Sequence, residues 1–113
     1  MTVRETFFAI EVKDMPRATA FYVAALGASV LFTSPGWTSL RIAGVRVGLA
    51  WNPDHAPCRV GLHFAVDDLR DACAQIEAAG GQLVAASVEV APGVIVADVA
   101  DTEDNTFSLT QRA

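Results

Sequence analysis

Two stretches of this sequence, FAIEVKDMPRATAFYVAALGA and LHFAVDDLRDACAQIEAAGGQ, align without a gap at an offset of 54 residues. Ile10 falls on Phe64, Val12 on Val66, Asp14 on Asp68, Met15 on Leu69, Ala18 on Ala72, Tyr22 on Ile76, Ala25 on Ala79 and Gly27 on Gly81. What repeats is the pattern of apolar positions rather than the residues themselves. At 113 residues the chain has room for two half-size modules sharing one core, and not for a multidomain assembly.

Each copy opens with strand-like alternation, Phe8-Ile10-Val12 and Leu62-Phe64-Val66. Each then changes period. Met15, Ala18, Phe21, Tyr22 and Ala25, like Leu69, Ala72, Cys73, Ile76 and Ala79, recur at helical spacing and predict a short amphipathic helix. Asp14 and Asp68 stand where the period switches, so their carboxylates are placed to accept the first free N–H groups of each helix. Gly27 and the Gly80-Gly81 pair end the helices as left-handed caps. Short β-prone runs follow at Ser29 to Thr33, Trp37 to Ala43, Arg46 to Trp51, Gln82 to Val90, Val94 to Val99 and Thr106 to Gln111, separated by Pro35-Gly36, Gly44, Pro92-Gly93 and Asp104-Asn105. Each half therefore reads βαβββ. The expected organisation is one domain over residues 1–113, with modules 1–53 and 58–113 joined by a proline-rich connector at 52–59.

Apolar residues make up 52% of the chain and charged residues 19%, which suits a folded core. No run of eighteen apolar residues occurs, and MTVRETFFAIEV is charged too early for a signal peptide, so neither membrane insertion nor export is expected. The net charge of -5 lacks the basic footprint that nucleic acid demands. Up to Pro53 there are five Lys/Arg against three Asp/Glu; from Asp54 onward there are three against ten. That acidic second half suggests a cationic ligand. Cys58 and Cys73 fit no zinc spacing and a chain of this size needs no disulfide, which points to a reducing cytoplasm. Cys73 is expected in the core and Cys58 as a free thiol.

The paired βαβββ pattern, with AIEVKDMPRATAFYVAALGA, HFAVDDLRDACAQIEAAGG and DTEDNTFSLTQ as its most specific pieces, resembles the vicinal oxygen chelate superfamily of glyoxalases, bleomycin resistance proteins and extradiol dioxygenases. The resemblance implies an α+β fold in which two modules form a half-barrel around a cavity, usually in a homodimer. It also implies four metal-ligand positions, which fall here on Phe7, Gly48, Gly61 and Ser108. Three offer no donor atom, and one serine hydroxyl does not replace the His and Glu that such sites require. The departure matches the superfamily's metal-free branch, whose bleomycin resistance members bind a drug unchanged. No metal and no cofactor are expected.

Strand parity assigns Ile10, Val12, Phe64 and Val66 to the helices and leaves Phe7, Ala9, Gly61, His63 and Ala65 for the other face. His63 is the polar residue placed there to contact a ligand or act as a base near neutral pH. Asp98, Glu11 and Arg41 share that parity, and Phe7, Phe32, Trp37 and Trp51 supply aromatic surface. The expected ligand-binding set is Phe7, Trp37, Arg41, Gly48, Trp51, Gly61, His63, Asp98 and Ser108; His55, in the connector, is expected in solvent. Asp101, Glu103, Asp104 and Asn105 read as a turn. Two functions compete: a homodimeric protein that sequesters or carries a small molecule, or an enzyme of lyase, isomerase or dioxygenase type. The enzyme would use His63 with Asp98 or Glu11, with or without a displaced metal site.

Overall fold

The change of period lands where the repeat places it. The computed structural model describes residues 1–112, in the order β1 (Phe8–Val12), α1 (Met15–Leu26), β2 (Ser29–Thr33), β3 (Trp37–Ile42), β4 (Val45–Trp51), β5 (Cys58–Ala65), α2 (Leu69–Ala78), β6 (Gln82–Ala91), β7 (Val94–Ala100) and β8 (Asn105–Arg112). The chain forms two compact units, Met1–His55 and Ala56–Ala113, each a βαβββ module, so the α+β class is the one expected. Their sheets run β1-β4-β3-β2 and β5-β8-β7-β6, and in each the first strand pairs in parallel with the last while the other pairs are antiparallel.

In the first unit α1 packs on β3 and β4. Met15, Ala18, Phe21 and Tyr22 meet a sheet face whose Ile10, Val12, Leu40, Ile42, Val47 and Leu49 are all buried. Full burial of one such large side chain is worth about 1.5–3 kcal/mol, and truncating Phe21 to Ala would cost about 3–5. The second unit repeats this with Leu69 and Ile76 over Leu62, Ala97, Val99, Phe107 and Leu109. Phe64 is half-buried and meets Phe107 edge-on, ring centroids 5.4 Å apart.

The caps follow the sequence. Asp14 accepts from the Arg17 N–H and Asp68 from the Asp71 N–H, both at 3.0 Å. Gly27 is left-handed at φ 64°, and after α2 the left-handed residue is Gly80 at φ 99°. Asp101, buried, accepts from the backbone N–H of Glu103 at 2.7 Å and of Asn105 at 2.9 Å, and from the Asn105 side-chain amide at 3.0 Å, which fixes the β7–β8 turn. No helix among the described residues is long and apolar enough to cross a membrane.

Three expectations need correction. His55 is buried at 5% exposure, because Asn52 closes a local turn, its side-chain oxygen accepting from the Asp54 N–H, and the chain folds back until His55 Nδ1 lies 3.6 Å from Glu11 Oε1. The connector is shorter than 52–59, since β5 already begins at Cys58. Cys73 is half-buried rather than enclosed in the core; burial, and then the Glu77 carboxylate, push its thiol pKa up.

Candidate functional site

Each sheet has one face against its helix and one without. The helix-free face of the first unit is set by cross-strand register. Trp37, Ser39 and Arg41 alternate along β3 opposite Ala50, Gly48 and Arg46 of β4, with Ala9 and Glu11 of β1 beside Gly48 and Ala50. Gly48 is what lets Trp37 lie down. A Cβ on residue 48 would overlap Cζ2 and Cη2 of the indole, so only glycine leaves that space. The indole is held there by its N–H donating to Ser39 Oγ at 2.8 Å and by an edge-on contact with Phe7, ring centroids 6.2 Å apart. The Arg46 guanidinium carbon lies 4.0 Å from the Phe7 ring centroid, a cation–π contact.

The second unit's helix-free face is polar. His63 sits opposite Ser108 on β8, and Ser108 opposite Asp98 on β7. Ser108 Oγ donates to Asp98 Oδ1 at 2.7 Å, and Arg59 Nη2 donates to Asp98 Oδ2 at 2.7 Å. Those two hydrogen bonds, from Arg59 first and Ser108 second, hold the Asp98 carboxyl below its ordinary range; the charges of Arg59 and His63 add to the effect and burial opposes it. The Arg59 guanidinium is pushed up in return by Asp98.

Phe7, Trp37, Arg41 and Gly48 therefore share one face, and His63, Asp98 and Ser108 share another. Gly61 lies in β5 where the register with β8 shifts, and a Cβ there would meet open space. Trp51 does not join Trp37. It pairs with Val12 on the helix side, its indole N–H donates to the Lys13 carbonyl at 3.0 Å, and it borders a groove of about 1100 Å³ beside Pro16, Thr19, Val23 and Pro35. That groove is roomy but poor in groups to orient a ligand, since Asp14 at its rim is spent capping α1. Phe32 lies exposed on edge strand β2, and Glu11 accepts from the Asn52 amide at 3.1 Å. Asp98, expected to receive a cation from outside, has both oxygens engaged by the chain itself.

Arg59, Arg46 and Ser39 are the residues that sequence reading misses. Arg46 is within its reach, two residues before Gly48 on the same strand face. Arg59 is hidden by its place at the end of the proline-rich stretch.

The four positions that the resemblance assigns to metal ligands carry side chains that do not fit a divalent ion. Phe7, Gly48 and Gly61 present no donor atom, and Ser108 Oγ is tied to Asp98. Among the described residues no group of three or more His, Cys, Asp or Glu side chains could hold a metal ion.

No curated protein matches the chain. Among solved structures it is similar to a glyoxalase/bleomycin resistance protein/dioxygenase family enzyme from Burkholderia phytofirmans PsJN, with a TM-score of 0.83 and 20% identity over 95% of this chain and 97% of that one. It is similar also to the fosfomycin resistance protein FosX from Listeria monocytogenes, with a TM-score of 0.81 and 17% identity over 100% of this chain and 96% of that one. A further structure of FosX, complexed with Mn(II) and sulfate ion, gives a TM-score of 0.79 at 20% identity over 100% and 93%. At such identities these likenesses speak for the fold. The model of the glyoxalase-like domain matches residues 7–110, and the chain belongs to that family, within the vicinal oxygen chelate superfamily.

Proposed function

We propose that this chain is a metal-free small-molecule-binding protein of the glyoxalase/bleomycin resistance type, a cytoplasmic homodimer that sequesters or carries a drug or metabolite. The observation that carries this reading is the pairing of Gly48 with Trp37: where the superfamily sets a metal ligand, this chain has no side chain and lays an indole over the gap. A flat aromatic surface flanked by a few polar groups binds and orients an organic molecule without needing an ion to do so. On the other module, His63 stands beside the Arg59–Asp98–Ser108 hydrogen-bond set, whose side chains hold one another in place before a ligand arrives.

Homodimer formation is supported by the sheet edges. β2 and β6 are edge strands exposed along their whole lengths, and they carry Phe32, Val84, Val88 and Val90 more than half exposed. Unpaired strands bearing such side chains favour coverage by a second copy.

The second reading is a metal-free enzyme with His63 as general base, supported by its position opposite Ser108 on the helix-free face. Native mass spectrometry of the protein purified from its own cell separates the two. A homodimer retaining an unchanged organic molecule without a metal ion is the expected result. A monomer would remove the dimer, and conversion of the retained molecule on incubation would put the enzyme first.

A further inference from the structure

The β3–β4 hairpin closes with Ala43 at φ 48° and Gly44 at φ 82°, a two-residue turn whose twist matches that of the strands and fixes their register. That register sets Arg41 directly opposite Arg46. Like charges in opposed positions on a sheet destabilise it unless something of opposite sign is shared between them. One carboxylate is near: Glu5 Oε2 lies 3.6 Å from Arg46 Nε, beyond hydrogen-bond distance. Arg46 Nε is buried and has no hydrogen-bond partner. Nε is thus closed off beside Glu5, and it is the solvent-facing part of the half-buried Arg46 guanidinium, with exposed Arg41 opposite, that is open to a further acceptor. Beside this pair lie the Phe7 ring, under the Arg46 guanidinium, and the Trp37 indole.

We infer that the helix-free face of the first unit recognises a planar aromatic carboxylate, its ring against Trp37 and Phe7 and its carboxylate between the guanidinium groups of Arg41 and Arg46. This rests on the ligand-binding reading above and narrows it to one ligand class. Guanidinium suits a carboxylate because its planar fork matches the two oxygens and stays charged at every physiological pH. The ligand's charge is then opposite to the one expected from the acidic second half. There the candidate anion, Asp98, is already bonded to Arg59 and Ser108, whereas the first unit's face carries Arg41 and Arg46 with Glu5 close to one of them, and its other carboxylate, Glu11, is engaged by Asn52 and lies beside His55.

The test is titration calorimetry of the full chain with 2-naphthoate and with 2-naphthamide, which offer the same aromatic area and differ in charge. The carboxylate is expected to bind about ten- to a hundredfold more tightly than the amide, the difference a charge-assisted hydrogen bond makes. Arg41→Gln, at an exposed position, should abolish most of that preference. Arg46→Gln should do the same if Phe7 keeps its place. Equal affinities for the two probes, or a preference that survives both substitutions, would overturn the inference while leaving aromatic binding intact. Failure of both probes to bind would overturn the inference and the ligand-binding reading together.

Discussion

In the first unit the junction between the last two strands takes two residues, Ala43 and Gly44, both at positive φ. In the second the same junction spans residues 101–104 and is held by the buried carboxylate of Asp101. The preceding hairpin of the second unit turns at Pro92-Gly93, with Gly93 at φ 74°, and β6 slips register against β7 at three places, while the corresponding strands β2 and β3 shift once. The two modules thus keep the positions that face a helix and diverge in how their strands are joined and in what the other face carries. A repeated core keeps its apolar pattern because packing requires it; nothing in packing requires the helix-free faces to agree. One is aromatic and cationic, the other a hydrogen-bonded set of Arg59, Asp98 and Ser108 with His63 beside it.

The sharpest contrast lies in the two junctions. Asp101→Ala strands two backbone N–H groups and a side-chain amide in a buried turn, a loss of about 3 kcal/mol or more, read as a lower urea midpoint. Ala43→Gly at the matching junction should move the midpoint the other way, by up to about 1 kcal/mol, because glycine is at ease at positive φ. A loss at both would mean that the two junctions are not held by different means.

Smaller effects separate the two glycines at superfamily metal positions. Gly48→Ala forces its Cβ into the Trp37 indole and should cost about 1–3 kcal/mol, together with a shift in tryptophan emission. Gly61→Ala enters open space and should stay within about 0.5 kcal/mol. Similar losses at the two sites would mean that Trp37 does not lie over Gly48.

The least effect belongs to Asp98. Its folded pKa lies below the ordinary value of 3.8, so its contribution to stability is present in full above that value and lost as pH falls through the lowered one. Acid titrations of the wild type and Asp98→Asn should run parallel above about pH 5 and converge below 3.8. The difference should be modest, because Arg59 lies in solvent and screening weakens the pair. Curves that stay parallel through the acid range would show that the Arg59–Asp98 contact does not form in solution.

What is legible in the sequence is whatever depends on neighbours along the chain. Ile10, Val12, Leu62 and the helix stripes follow from periodicity, and Asp14 and Asp68 cap helices that begin one residue later. The contacts that escape are those made by register and by folding back. Arg59 reaches Asp98 across 39 residues and over an intervening strand, and β5 shifts register on the way. His55 is buried because a turn at Asn52 returns it to Glu11, 44 residues earlier. Residue type groups Trp51 with Trp37, though its pairing with Val12 sets it on the helix side.

If the glyoxalase-like positions of this chain bind an organic molecule without a divalent ion, metal should neither load them nor alter ligand binding. Equilibrium dialysis of the purified protein against Mn(II), Zn(II) and Ni(II), followed by elemental analysis, decides the matter. No stoichiometric uptake of any of the three is expected, with naphthoate affinity the same before and after dialysis. One metal ion per chain, lost on His63→Ala, would contradict the metal-free reading.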